Sequence, residues 1–184
     1  MKRIVILLAF ACLGLVPLCA QTVAMKTNLL SDALLTPSLG AEVMLDDCWS
    51  LSLTGGYMPM RLSHDHYWRT FTVQPEVRYW LADRMSGLFI GAAYQYRGFN
   101  LGGLPFSHLK DSRSQGRMQG GGVSVGYHYI LSTRWSLEPS VTVGWSHLHW
   151  SHYGSARSDL VKSKWTADYV GPLDVGLSLV YILR

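Results

Sequence analysis

Apolar and small polar residues alternate along most of this chain, and that period of two constrains the fold more than any other feature. Phe71, Val73, Val77, Tyr79 and Leu81 are interleaved with Thr72, Gln74, Glu76 and Arg78. Leu88, Ile90, Ala92, Tyr94 and Tyr96 alternate with Phe89, Gly91, Ala93, Gln95 and Arg97. Similar runs begin at Trp49, Gly122, Trp135 and Asp174. A side chain that returns to the same face every second residue belongs to a strand, because a helix needs a period near 3.6. Two shorter runs, near Val23–Leu30 and Ser38–Leu45, bring the count to eight strands; Lys26 and Asn28 make the first the weakest.

The connections between these runs alternate in length. Asp46-Asp47, Ala82–Ser86 and Ser132-Thr133 are tight, whereas Pro59–Trp68, Asn100–Gln115 and Ser151–Ser163 are long and polar. Ser31–Pro37 is the exception, short and fairly apolar. Tight turns at one end and long loops at the other fit an all-β, eight-stranded antiparallel up-and-down transmembrane barrel. The tight turns then face the periplasm and the long loops face outside.

The start of the chain agrees with export. Lys2 and Arg3 precede an apolar run from Ile4 to Val16, and Pro17 leads to Leu18-Cys19-Ala20 and then Gln21. This reads as a cleaved signal peptide over 1–20, with the barrel occupying 21–184. Cleavage would leave Cys48 as the single cysteine and 14 of the 16 basic residues against all 12 acidic ones. A surplus that small, with no basic run, argues against nucleic acid as a partner.

Which face meets lipid follows from composition. Charged residues make up only 15% of the chain, against about 25% in ordinary globular proteins. The polar face is built mainly of Gly, Ser, Thr and Gln, which suits a narrow lumen better than a solvated exterior. The apolar face would therefore point outward. Trp49, Tyr79, Tyr129, Trp135 and Tyr181 stand beside the tight turns; Tyr57, Tyr96, Trp145 and Trp165 stand toward the long loops. Two such aromatic girdles are expected at the two lipid–water interfaces. Tyr79 and Trp80 would mark where their strand leaves the membrane. Pro75 and Pro139 lack ladder donors in a wall with no free edge, so a local bulge or bend is expected at each.

The polar face carries Glu76, Arg78, Arg97, Glu138 and Asp174. Pointing into the lumen, these charges should pair, for example as Glu76–Arg97 or Arg78–Glu138, and plug the barrel. The same network could instead act as a gate.

The stretches MKTNLLSDALLTPSLGAEVML, VQPEVRYW, GYHYILSTRWSLEPSVTVGW and YVGPLDVGLSLVYIL resemble a family of exported proteins from Bacteroides-type bacteria, known as domain of unknown function 3575. The resemblance covers roughly residues 24–183. It implies a small outer-membrane β-barrel, often encoded near surface-fimbria genes, and brings no established activity or catalytic residues.

Other chemistry is sparse. His64, His66, His147, His149 and His152 cluster near loops, but no second carboxylate or thiol stands at metal-ligand spacing. His149-Trp150-Ser151 places a histidine and a serine on one strand face, an arrangement also seen in lipid A deacylases, with Asp159 or Asp168 as a possible orienting acid. No phosphate loop, dinucleotide glycine pattern or nucleophile elbow is present. The expectation is a monomeric barrel in outer-membrane lipid, without cofactor or metal and not an enzyme. It would serve as a structural or interaction protein of the envelope whose partners are fimbrial or other surface proteins. Trp68, Phe99 and His108, in or beside the outer loops, would be its working parts. A narrow channel or ligand-transfer barrel is the alternative, and a lipid-modifying enzyme is a third class.

Overall fold

A computed structural model describes residues 22–61, 67–102, 113–153 and 161–183. The expected signal peptide at 1–20, and His64, Asp65, His66, His108 and Asp159, lie outside the described residues. Eight antiparallel strands follow one another around a closed barrel, and β8 returns to pair with β1. They are β1 (Val23–Asn28), β2 (Ser38–Met44), β3 (Trp49–Arg61), β4 (Tyr67–Trp80), β5 (Gly87–Gly102), β6 (Arg113–Ile130), β7 (Trp135–Tyr153) and β8 (Val161–Ile182). All eight expected strands are present. No helix among the described residues is long and apolar enough to cross a membrane, a statement that does not bear on strands.

The one helical element was unexpected. Leu29 and Leu30 leave the β1 pattern and enter a single turn, α1 (Leu29–Ala33). Asn28 caps it, its side chain accepting from the backbone N–H of Leu30 at 3.1 Å and reaching the N–H of Leu177 at 3.3 Å. Asp32 then fixes the connection by accepting from the Ser38 N–H at 2.8 Å and from the Thr27 hydroxyl at 2.5 Å. This replaces the plain loop expected over Ser31–Pro37.

The wall is uneven. β1 and β2 have 6 and 7 residues, whereas β8 has 22. Strand pairing therefore carries β4 to β8 well beyond the closed ring on the long-loop side. The long connections are correspondingly shorter than the sequence suggested: β5 runs on to Gly102, and β6 begins at Arg113.

Neither expected proline bulge forms. Pro75 pairs regularly with Leu53 on the β3 side. On the β5 side pairing lapses between Val73↔Tyr96 and Glu76↔Ala93, then resumes in the same register. Pro139 behaves alike, pairing with Leu177 while the β6 ladder lapses between Gly126↔Ser140 and Tyr129↔Leu137. In an antiparallel strand the N–H and C=O of one residue point to the same neighbour. Each proline thus withholds its donor from one side only, and the wall absorbs the loss without an extra residue. The irregularities lie elsewhere, between β7 and β8: Thr142 pairs with Asp174 but Val143 pairs with Pro172, which leaves Leu173 as the inserted residue, and a second register shift falls between His152 and Tyr153.

Inside and outside are chemically inverted relative to a soluble barrel. Glu42, Glu76, Arg78, Glu138 and Lys26 are buried, while Leu53, Val123 and Val175 are each more than half exposed. The tight-turn end of the lumen is filled by Ala24, Met44, Trp80, Met85, Phe89 and Val180. Trp80 is 1% exposed. It therefore plugs the lumen and does not mark the strand's exit with Tyr79, because it sits one residue along and faces the other way.

Gly126 shows how tightly this end is packed: a Cβ there would lie 2.4 Å from Phe89 Cζ. Gly98, by contrast, has nothing within 4 Å of such an atom. Gly126→Ala should destabilise the folded protein by about 1–3 kcal/mol through overpacking, whereas Gly98→Ala should be near neutral. Urea unfolding followed by tryptophan fluorescence would measure both.

Candidate functional site

The site with the densest chemistry is the middle of the lumen. Arg78, on the inward face of β4, lies among three carboxylates contributed by three strands. Its Nη1 donates to Glu42 Oε2 and to Glu138 Oε1, both at 2.9 Å, and its Nη2 donates to Glu76 Oε2 at 2.9 Å. Lys26 adds a second cation, 3.2 Å from Glu42 and 3.8 Å from Glu138. The His128 Nδ1 is 3.2 Å from Glu138 Oε2; since a carboxylate can only accept, the ring nitrogen donates. Two cations thus face three carboxylates, all of them with side chains at most 5% exposed, and His128 is a further polar partner.

Hydroxyls and an aromatic ring complete the cluster. Ser50 donates to Glu42 Oε1 at 2.6 Å and accepts from the Trp80 indole at 2.9 Å. Ser124 donates to Glu76 Oε1. The Arg78 guanidinium carbon lies 4.1 Å from the Phe89 ring centroid, a cation–π contact. Trp80 packs against both Phe89 and His128. The charge layer therefore rests directly on the apolar plug at the tight-turn end.

The five lumen charges singled out from sequence divide into two groups. Arg78 meets Glu138, and Glu76 meets Arg78 in place of Arg97. Arg97 faces Asp174 at 3.7 Å, in a half-buried pair nearer the long loops. Lys26, Glu42 and His128 were missed. Lys26 counted only as a weakness of the first strand, and Glu42 sits in a strand too short to show its period. His128 had the right parity all along, between Gly126 and Ile130. Beyond the network lies a cavity of about 180 Å³ lined by Thr54, Thr72, Gln74, Thr142, Arg97 and Asp174.

The girdle residues sit mostly as expected. Trp49 packs edge-on against Tyr79 at 5.1 Å between centroids, and Trp135 against Tyr181 at 4.8 Å. Tyr129 lies on the same exposed face, and Tyr57 and Trp145 are exposed toward the long loops, where Tyr96 is half-buried. Trp165 is a correction. The extra Leu173 reverses the parity of β8, so Trp165 pairs with Trp150 and Tyr169 with fully buried Ser146, on the lumen side of the wall. Phe99 likewise belongs to the inward-facing set of β5.

Among the described residues the histidine–serine arrangement does not assemble an acid–base–nucleophile set. Asp168 accepts from His147, 2.6 Å away, and His149 instead meets the Thr166 hydroxyl at 3.0 Å. No group of three metal-ligating side chains occurs among the described residues.

The chain belongs to the family described as protein of unknown function DUF3575, whose model matches residues 4–183. No curated protein matches it.

The two ion-pair groups should differ sharply in worth. Arg78→Met leaves three buried carboxylates with one cation and should cost about 3–5 kcal/mol. Arg97→Met removes a partner from a pair whose arginine is 37% exposed and should cost less than about 1 kcal/mol. Denaturant midpoints of the two variants would settle the contrast.

Proposed function

We propose that this DUF3575 protein is an outer-membrane β-barrel, exported by a signal peptide over 1–20, that works as a non-conducting structural or interaction protein of the cell envelope. The observation that carries the reading is the inversion of the wall: buried charges inside, a continuous exposed apolar belt outside. A belt of this extent would drive association in water. It suits hydrocarbon, in which the strands satisfy one another's backbone groups around a closed ring.

The height of the belt supports the same reading. On β7 the outward face runs from Trp135 to Trp145, ten residues apart. That is about 33 Å along the strand, or about 25 Å along the axis after a tilt near 40°, the height of the apolar band in outer-membrane barrels.

The packed lumen favours an anchoring or docking role over transport. With the apolar plug at one end and the Arg78 cluster above it, a solute would have to break several buried charge-assisted bonds to pass. The partner class offered by the family resemblance is a surface-fimbria component, reached through the tall β4–β8 wall and its loops. The cavity beside Arg97 and Asp174 is the one feature that favours the second reading, a ligand-transfer barrel. For an enzymatic role, no nucleophile with an oriented base is found among the described residues.

In planar bilayers the wild-type protein should give no porin-sized steps, while a Trp80→Ala/Phe89→Ala variant, which empties the plug, should flicker open. Steady large channels from the wild type would contradict the sealed lumen. A heat-dependent shift in gel mobility should accompany folding, and its absence would count against a membrane barrel.

A further inference from the structure

The upper wall carries a charged surface that the sealed lumen does not use. Above Trp145 the face continuous with the apolar belt turns polar and cationic. Strand pairing aligns Phe71, Gly98, Arg117 and His149 in one cross-strand row, and the next row runs from Arg69 to Lys164. These rows border a groove of about 670 Å³ that Tyr57 and Tyr96 also line, together with Phe99, Trp150 and Trp165 of the inward-facing sets. Gly98 leaves it open, since no atom lies within 4 Å of the place where a Cβ would stand.

The groove is unbalanced in charge. Arg69, Arg117 and Lys164 are exposed, and no ion pair engages them among the described residues. Among the described residues the acid on this part of the wall is Asp168, which is already bonded to His147. Cations gathered beside aromatic rings, with no counter-charge among the described residues, fit an anionic ligand that also offers apolar or sugar surface. The arginine fork matches phosphate oxygens in particular.

Depth selects among phosphate-bearing ligands. Arg117 lies four residues beyond Gly121, the partner of Trp145, and Gln115, in the row of Arg69 and Lys164, lies two further. Along β6, at about 3.3 Å per residue and a tilt near 40°, Arg117 stands about 10 Å and Gln115 about 15 Å above the level of Gly121. The polar layer of a phospholipid bilayer is only about 5–8 Å thick on each side. A sugar-based headgroup reaches higher.

We propose that this groove binds the phosphorylated headgroup of an outer-leaflet glycolipid. Arg69, Arg117 and Lys164 hold its phosphates, and Phe71, Tyr57 and Tyr96 pack against its sugars. The assignment rests on the membrane-barrel reading above. It makes the barrel a specific lipid binder, so that partner proteins would meet it together with a captured glycolipid.

The test uses the full-length protein folded in detergent micelles, with a fluorescent bisphosphorylated diglucosamine lipid as probe. Wild type should bind it at least about tenfold more tightly than an R69Q/R117Q/K164Q variant does, and at least about tenfold more tightly than the dephosphorylated lipid, with affinity falling as salt rises. Millimolar inorganic phosphate should not displace the probe. Equal binding by the triple variant or by the dephosphorylated lipid overturns the proposal and leaves the barrel reading intact. Full displacement by inorganic phosphate overturns it in favour of a small-anion site. Heat-modifiable mobility verifies that each protein is folded. If the triple variant fails that control, Arg117→Gln and the salt dependence decide on the same criteria. A wild-type protein that never folds in micelles overturns the membrane reading, and this assignment with it.

Discussion

The guanidinium of Arg78 is the contact on which the rest of this barrel depends. It bonds three glutamates from β2, β4 and β7 at 2.9 Å each, so one side chain ties together strands on opposite sides of the lumen. Buried ion pairs often contribute little net stability, because desolvation offsets attraction. Their role here is specificity. A slip of one residue in any of these strands would send a glutamate into the outer apolar belt, so the network fixes register in a wall whose outer face, by itself, tolerates many registers.

Sealing follows from the same arrangement. The charge cluster needs a dry, shaped floor, and Trp80, Phe89, Met44 and Met85 supply it. Trp80 links the two layers through Ser50 to Glu42. Above them the lumen loosens into a small polar cavity, and β1 and β2 end early while the opposite wall continues. The proposed glycolipid site accordingly lies on the exposed upper wall, where no ion pair engages Arg69, Arg117 or Lys164 among the described residues.

Period-two alternation made the eight strands, their order and their inward and outward faces legible in the sequence, because each face is uniform in chemistry. Local departures from that period were not legible. Leu173 looks like any strand residue, yet it is the insertion that turns Trp165 and Tyr169 to the lumen side. Pro75 and Pro139 looked like insertions, yet each costs only ladder bonds on one flank. Trp80 was misread because an aromatic near a strand end fits a girdle equally well; only its even parity with Arg78 and Glu76 told otherwise. Glu42 and Lys26 were hidden in strands of 7 and 6 residues, too short to reveal a period. The partners of Arg78 were beyond reach, since they come from distant strands and depend on the stagger of the closed barrel.

The central claim is that the apolar face of this wall meets hydrocarbon while the charged face is buried within. It is tested most directly by spin labels at Val123, Val125 and Tyr127 on β6, introduced singly in a Cys48→Ser background reconstituted into lipid vesicles. Collision with oxygen, which concentrates in the bilayer, should be high at all three positions, and collision with a water-soluble nickel chelate should be low. High nickel accessibility at these positions would contradict the account.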